Sequence, residues 1–301
     1  MAQFTDSEIR AASLEKVRQL REAYGGRVPR EALKEGVTIH GRRVPIWNYQ
    51  KGIFKPAVLG ADGAALSIQT SVASPYDDLF NAEAGSIVYK YRGSDASNSD
   101  IVALRRAMER QLPMIYLVGI DPGYYDVVAP IYISGDSPSS LEFTLQADQA
   151  SLTTGAQSTV MTAARREYAT RAVLVRLHQQ KFRRMVLSAY REQCCICRLR
   201  HVELLDAAHI LADRHPKGEP VVSNGLGMCT IHHSAYDANI IGIDPDAKVH
   251  LREDILLEKD GPMLKHGLQE MAGRVLVQPR KPDLRPNPDF LAERYERFRA
   301  A

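Results

Sequence analysis

The sequence predicts an α+β protein of two domains, a β-rich N-terminal domain joined through a helical linker to a small, zinc-stabilised C-terminal one. Three observations carry that expectation. A chain of 301 residues, 45% of them hydrophobic, exceeds what one core usually organises and has enough apolar side chains to fill two. From position 37 to 145 it is punctuated by Gly and Pro and breaks into short runs with strand character. Further on, four metal-binding side chains stand in two close pairs, Cys194-x-x-Cys197 and Cys229-x-x-His232. Two thiolates three positions apart bite one ion without straining the backbone, and the second pair completes a tetrahedron.

Taken in order, residues 7–23 place Ile9, Leu14, Val17 and Leu20 on one face of an amphipathic helix that Gly25-Gly26 ends. Strands are expected at 65–70, 86–91, 114–118 and 130–134, with a helix at 101–110. The small, polar residues 149–160 suit a linker. Beyond it Phe182, Val186 and Ala189 or Tyr190 recur at helical period. A last connector, 279–288, leads into a short helix at 290–298.

Charge follows the same division. Residues 1–150 hold 16 basic and 18 acidic side chains, residues 151–301 hold 23 and 18, within a net charge of +3. Between 165 and 200 the chain carries Arg165, Arg166, Arg171, Arg176, Lys181, Arg183, Arg184, Arg191, Arg198 and Arg200 against Glu167 and Glu192. A solvated basic helix face is the plain reading. Set directly before the Cys/His pairs, Arg165, Arg166, Lys181, Arg183 and Arg184 are instead candidates to track DNA phosphates with salt-dependent, sequence-independent affinity. No apolar run approaches a membrane span and the N-terminus carries acidic residues, so neither membrane nor secretion is expected. Three of four cysteines in ligand spacing point to a reducing, cytoplasmic setting.

A zinc ribbon needs only the four ligands, and Cys195 between two of them reads as a spectator. Helix geometry leaves His232 and His233 both able to reach an ion held by Cys229, because residues three and four apart share a face. Around these ligands Asp206-Ala-Ala-His209-Ile210 reads as a strand end delivering a histidine, followed by a polar loop, Asn224-Gly-Leu and a short helix. The order His209, Asn224, His233 resembles the HNH nucleases, whose ββα-metal finger hydrolyses phosphodiesters. That resemblance takes the histidine nine positions after the asparagine, His233, into the active site and leaves His232 to zinc.

It implies three roles. Neutral imidazole is a suitable base near neutral pH, and His209 takes that role. Asn224 orients His209 by holding the loop. A divalent ion (Mg²⁺, Mn²⁺, Co²⁺ or Ni²⁺) acts as Lewis acid, with His233 its first ligand, Asp237 its second and Asp206 a competitor. Many relatives carry an acidic residue or histidine before the base, where this chain has Ala208.

The β-rich region carries a second resemblance. Gly52-Ile-Phe-Lys-Pro56, Leu66-Ser-Ile68, Pro75-Tyr76-Asp77-Asp78 and Val88-Tyr-Lys-Tyr91-Arg-Gly93 follow the order of SRA domains, which read modified cytosine. It implies a β-barrel of the PUA superfamily. An extruded cytosine wants two aromatic faces and an acceptor for its amine, roles that fall to Tyr76 and Tyr91, and to Asp78 or Asp77. The alternative is that Tyr91 is a strand-core residue and the two aspartates end a turn.

The expected parts are an N-terminal helical segment (1–44), an SRA-like domain (45–148), linker and basic helix (149–190), HNH domain (191–260) and C-terminal extension (261–301). Together they imply a modification-dependent restriction endonuclease that flips 5-methylcytosine or 5-hydroxymethylcytosine in double-stranded DNA and cuts nearby. One finger cuts one strand, so a double-strand break implies a homodimer. The alternatives are an HNH nickase with other or little modification specificity and a zinc-stabilised DNA reader without catalysis.

Overall fold

The computed structural model describes residues 4–71, 80–81, 86–91, 93, 95, 97–148, 163–259 and 261–301. The chain divides into two compact units, Met1–Leu177 and His178–Ala301.

The first unit opens with α1 (Asp6–Ala23). Thr5 Oγ1 accepts the Glu8 amide at 3.2 Å and Glu8 Oε2 accepts the Thr5 amide at 3.0 Å, pairing two donors that a helix start otherwise leaves open. Next come β1 (Val28–Pro29), α2 (Arg30–Lys34) and the hairpin of β2 (Val37–Ile39) and β3 (Arg42–Val44). The main sheet adds β4 (Ile53–Phe54), β5 (Ser67–Thr70), β6 (Phe80–Asn81) and β7 (Ser86–Lys90). After α3 (Ser99–Glu109) it is completed by β8 (Met114–Asp121), β9 (Tyr124–Ser137) and β10 (Glu142–Ala147). The order is β4-β5-β8-β9-β10-β7-β6, with β1 also on β9. β5 and β8 run parallel and the other neighbours antiparallel.

Both faces of this sheet are buried, as the strand period requires. Ile115, Leu117 and Val127 join Ile9 and Val17 of α1, while Tyr116, Val118 and Val128 join Ile101 and Leu104 of α3. The expected barrel is not closed among the described residues. β4 pairs with β5 and β6 with β7, and the two end the sheet without pairing with each other among the described residues.

α4 (Ala163–Ala189) contributes Val173, Leu174 and Leu177 to the first unit's core and its later residues to the second unit's. The second unit continues with β11 (Leu205–His209), β12 (Gly225–Cys229), α5 (Thr230–Asp237), β13 (Ile241–Ile243) and β14 (Val249–Leu251). It ends with α6 (Glu253–Leu257), α7 (Pro262–Gly267) and α8 (Pro288–Arg299). Phe182, Val186 and Tyr190 pack on Leu226, Met228 and Tyr236 in one core. Glycine permits this approach: a methyl at Gly225 would lie 2.4 Å from Val186 Cγ2 and 2.9 Å from Phe182 Cζ.

The segment read as a C-terminal extension belongs to this core, to which it supplies Met271, Leu276 and Leu291. Arg294 Nη2 also donates to the Tyr236 carbonyl at 2.6 Å. The last helix starts earlier than expected because Asn287 caps it, accepting the Asp289 amide at 2.9 Å, and Pro288 suits the first turn. Among the described residues no helix is long and apolar enough to cross a membrane.

Candidate active site and metal centre

β11 and β12 pair antiparallel with Leu205 opposite Cys229 and His209 opposite Gly225. Cys229 ends β12 and is the N-cap residue of α5, which carries His232, His233 and Asp237. This strand–strand–helix unit delivers two separate groups of side chains.

The first group is Cys194, Cys197, Cys229 and His232, whose ligand atoms all lie within 4.8 Å of one another. Among the described residues no other His, Cys and carboxylate set of three or more converges in this way. Cys197 and Cys229 Sγ are 4.0 Å apart, and His232 Nδ1 lies 3.4 Å from Cys194 Sγ and 3.2 Å from Cys229 Sγ. Tetrahedral zinc with its usual bond lengths sets sulfurs about 3.8 Å apart and sulfur to nitrogen about 3.6 Å, so spacing and donor set both fit. His232 Nε2 donates to the Gly267 carbonyl at 2.8 Å, which keeps Nδ1 free as the ligand atom. The knuckle is shaped by its backbone. The Arg198 amide donates to the Cys194 carbonyl at 3.0 Å, and the Cys194 amide to the Leu199 carbonyl at 2.9 Å. Cys195 is fully buried, donating its amide to the Gly227 carbonyl at 2.7 Å.

The second group lies at the other end of β11. The His209 ring stacks on Phe182, centroids 3.9 Å apart and planes 16° apart. Its Nε2 is 3.3 Å from Asp213 Oδ1. Burial, the largest influence, pushes the imidazole below its ordinary value, with Asp213 opposing and His233 adding to the depression. The ring is therefore neutral at neutral pH, the form a base needs.

Asn224, fully buried, clamps the loop after His209. Its Oδ1 accepts the Leu211 amide at 2.9 Å, and its Nδ2 donates to the Leu211 and Glu219 carbonyls, each at 3.0 Å. Its carbonyl also accepts the Ile210 amide at 2.9 Å.

His233 stands between two carboxylates. Nδ1 is 3.3 Å from Asp206 Oδ2, and Nε2 is 3.3 Å from Asp237 Oδ2. The Asp206 hydrogen bond, reinforced by Asp237 and opposed by burial, raises the His233 pKa. Burial would raise Asp206, yet the His233 contact and the Ala207 amide carry it below its ordinary value. The competitor Asp206 thus faces His233 as closely as Asp237 does. Each ring nitrogen of His233 thus faces a different carboxylate, and neutral imidazole with either carboxylate is a donor pair that a divalent ion accepts.

The expected phosphate contacts divide. Arg183 Nη2 donates to the Leu205 and Val202 carbonyls at 2.7 and 3.0 Å, and its Nε lies 3.5 Å from Asp206, so it braces β11. The Arg166 guanidinium lies 5.5 Å from the Tyr132 ring centre in the first unit. Arg165 lies in the first turn of α4 and its side chain is outside the described residues. Lys181 and Arg184 are partly buried on α4, while Arg198 and Arg200 are exposed on the zinc knuckle.

Tyr76, Asp77 and Asp78 lie outside the described residues. Tyr91 is 3% exposed, its ring 4.8 Å from that of Phe143. Its hydroxyl donates to Asp136 and accepts from Arg105 Nη2 at 3.1 Å. In this arrangement it is a core residue with both ends engaged, and it presents no open face to a base. Asp213 and the Gly267 carbonyl had no signal in the sequence: one is an ordinary loop aspartate, the other a backbone atom brought in from a distant segment.

Residues 194–244 match the family described as HNH endonuclease. No curated protein matches the chain. Among solved structures, one described as "Modification dependent TagI restriction endonuclease" is similar over 83% of this chain and 86% of that one, with 18% identity and a TM-score of 0.31. The likeness at that score is too loose to bear on fold or function. The hairpin, helix and Cys3His cluster fall within the matched residues, and the second unit contains an HNH endonuclease domain, the enzymatic part of a metal-dependent DNA endonuclease.

Proposed function

We propose that the chain is a modification-dependent restriction endonuclease whose second unit cuts DNA and whose first unit reads 5-methylcytosine or 5-hydroxymethylcytosine. The observation that carries the cutting is a neutral, stacked His209 at the end of β11, with His233 on the adjoining α5 flanked by Asp206 and Asp237. His209 removes the proton from an attacking water. Asn224 holds the loop that fixes His209, and His233 with Asp206 or Asp237 holds the divalent ion. That ion, when bound, supplies counter-charge for the developing phosphorane and the leaving oxygen. Zinc at Cys194, Cys197, Cys229 and His232 ties the helix of the finger to the knuckle before its hairpin, a structural role.

The reading assigned to the first unit rests on the order of motifs in residues 45–145, with Tyr76 as stacking plate and Asp77 or Asp78 as acceptor. The core position of Tyr91 favours a second version, an HNH nickase whose modification specificity is different or slight. Two copies would then be needed only where both strands are cut. Digestion of matched unmodified, methylated and hydroxymethylated DNA in Mg²⁺, Mn²⁺, Co²⁺ and Ni²⁺ separates the versions. Cleavage confined to modified DNA supports the first; equal cleavage of all three substrates refutes it and leaves the nickase.

A further inference from the structure

Asp213 has no part in the reading above, yet its place is unusual. It follows His209 by four residues at the start of the loop that Asn224 closes, and its side chain is 48% exposed. Oδ1 stands 3.3 Å from His209 Nε2, a ring nitrogen that is buried and has no hydrogen-bond partner among the described residues. The separation exceeds that of a charge-assisted bond by about half an ångström and the two atoms are not aligned for one; catalytic hydrogen bonds are often long or poorly aligned before substrate arrives.

The surroundings hold this pair in place. Phe182 fixes the plane of the imidazole. The Ile210 and Leu211 amides, between His209 and Asp213, are both bonded to Asn224, which limits backbone movement. His178 lies one helical turn before Phe182 on α4, near enough to the Asp213 carboxylate to feel its charge, and Lys181 is near His178 in the same sense. His233, Asp206 and Asp237 act on His209 from the hairpin and from α5. Asp213 is the carboxylate that meets the ring edge.

We propose that Asp213 is a positioning residue for the general base: its carboxylate holds a proton on His209 Nε2 and leaves Nδ1 as the lone pair that meets the attacking water. The inference rests on His209 being the base. The step balances without an added reagent. Nδ1 takes one water proton, and the water oxygen forms the new bond to phosphorus. The bond from phosphorus to the leaving oxygen breaks, its electron pair goes with that oxygen, and the oxygen takes a proton from solvent. His209, now doubly protonated beside Asp213, returns its extra proton to solvent. The arrangement follows the logic by which an acid group fixes the tautomer of a catalytic histidine.

Asp213→Ala, Asp213→Glu and His209→Ala in the full, zinc-loaded chain test this on a plasmid that the wild type cuts. At saturating Mn²⁺, Asp213→Ala is expected to lower kcat by about 10- to 100-fold with KM within about twofold, and Asp213→Glu to restore most of it. Long-range proton–nitrogen spectra of ¹⁵N-histidine protein give a readout apart from activity. His209 should be the Nε2–H tautomer in the wild type and a mixture of tautomers in Asp213→Ala. Unchanged kcat and tautomer in Asp213→Ala, with His209→Ala inactive, overturn the proposal alone. A raised Mn²⁺ requirement with normal kcat at saturation would place Asp213 in the metal shell and also overturn it. Normal cleavage by His209→Ala would instead remove the base assignment, and the proposal with it.

Discussion

His209 and Gly225 face each other across the β11–β12 pair, and the absent side chain of one makes room for what fixes the other. A methyl at position 225 would meet Phe182, and Phe182 is the ring on which His209 stacks, 3.9 Å between centroids. The Asn-Gly dipeptide therefore combines two tasks: Asn224 clamps the loop and Gly225 admits the helix whose Phe182 orients His209.

Gly225→Ala should accordingly destabilise the second unit by about 1–3 kcal/mol, the usual range for overpacking. It should also lower cleavage beyond what the unfolded fraction explains. Urea unfolding alongside kcat on the same preparation checks both, and a variant that keeps full stability and rate would show that α4 need not sit so close.

His209→Ala should reduce kcat by about 10²- to 10⁴-fold, the range general base catalysis supplies, with zinc content unchanged. Burial holds the wild-type ring below its ordinary value, so it stays neutral to lower pH than a free histidine. At saturating divalent ion, which holds His233 in its deprotonated ligand form, cleavage should therefore persist below pH ~6.5 and fall only as pH passes the depressed value. In linkage terms the unfolded chain binds the proton first, so the stability this group contributes is present above about 6.5 and lost as pH falls through the folded value. A pH–rate profile whose acid limb lies above 6.5 would contradict the assignment.

Cys194→Ala and Cys229→Ala should fail differently. Each opens a four-ligand site, so zinc content and melting temperature should fall together with activity, because binding energy at such a site is folding energy. Chelation followed by Mg²⁺ alone should leave the enzyme inactive, whereas Zn²⁺ with Mg²⁺ should restore it. Normal zinc content in either variant would mean the ligand set is wrong.

Asn224→Ala removes three side-chain hydrogen bonds at once, two of them buried and the one to the Glu219 carbonyl partly so. The Leu211 amide and two carbonyls are left to find water, at roughly 1–3 kcal/mol for each group that stays unsatisfied. Cleavage should drop while zinc remains bound, since no ligand is touched. Hydrogen exchange at Leu211 reads the clamp directly: protection equal to that of the wild type would show that the loop is held by something else.

The sequence by itself determined the Cys3His cluster that could hold a metal ion, the strand–loop–strand–helix order of the finger and the amphipathic helices, because spacing and period act over a few residues. Cys194-x-x-Cys197 and Cys229-x-x-His232 bring their own geometry, and the stripe of Phe182, Val186 and Tyr190 announces a buried face wherever it packs. Only the tertiary structure decided what those faces meet. Arg183, one of a basic run, turns to the Leu205 and Val202 carbonyls rather than outward. Tyr91, an aromatic in a motif, closes on Phe143 and Asp136 in the core. The Gly267 carbonyl reaches His232 from a segment that pattern alone leaves as an extension. Asp213 gains its meaning from a ring nitrogen 3.3 Å away. A charge or a ring has the same letter whether it faces water or a partner; which it faces depends on contacts between elements far apart in the chain.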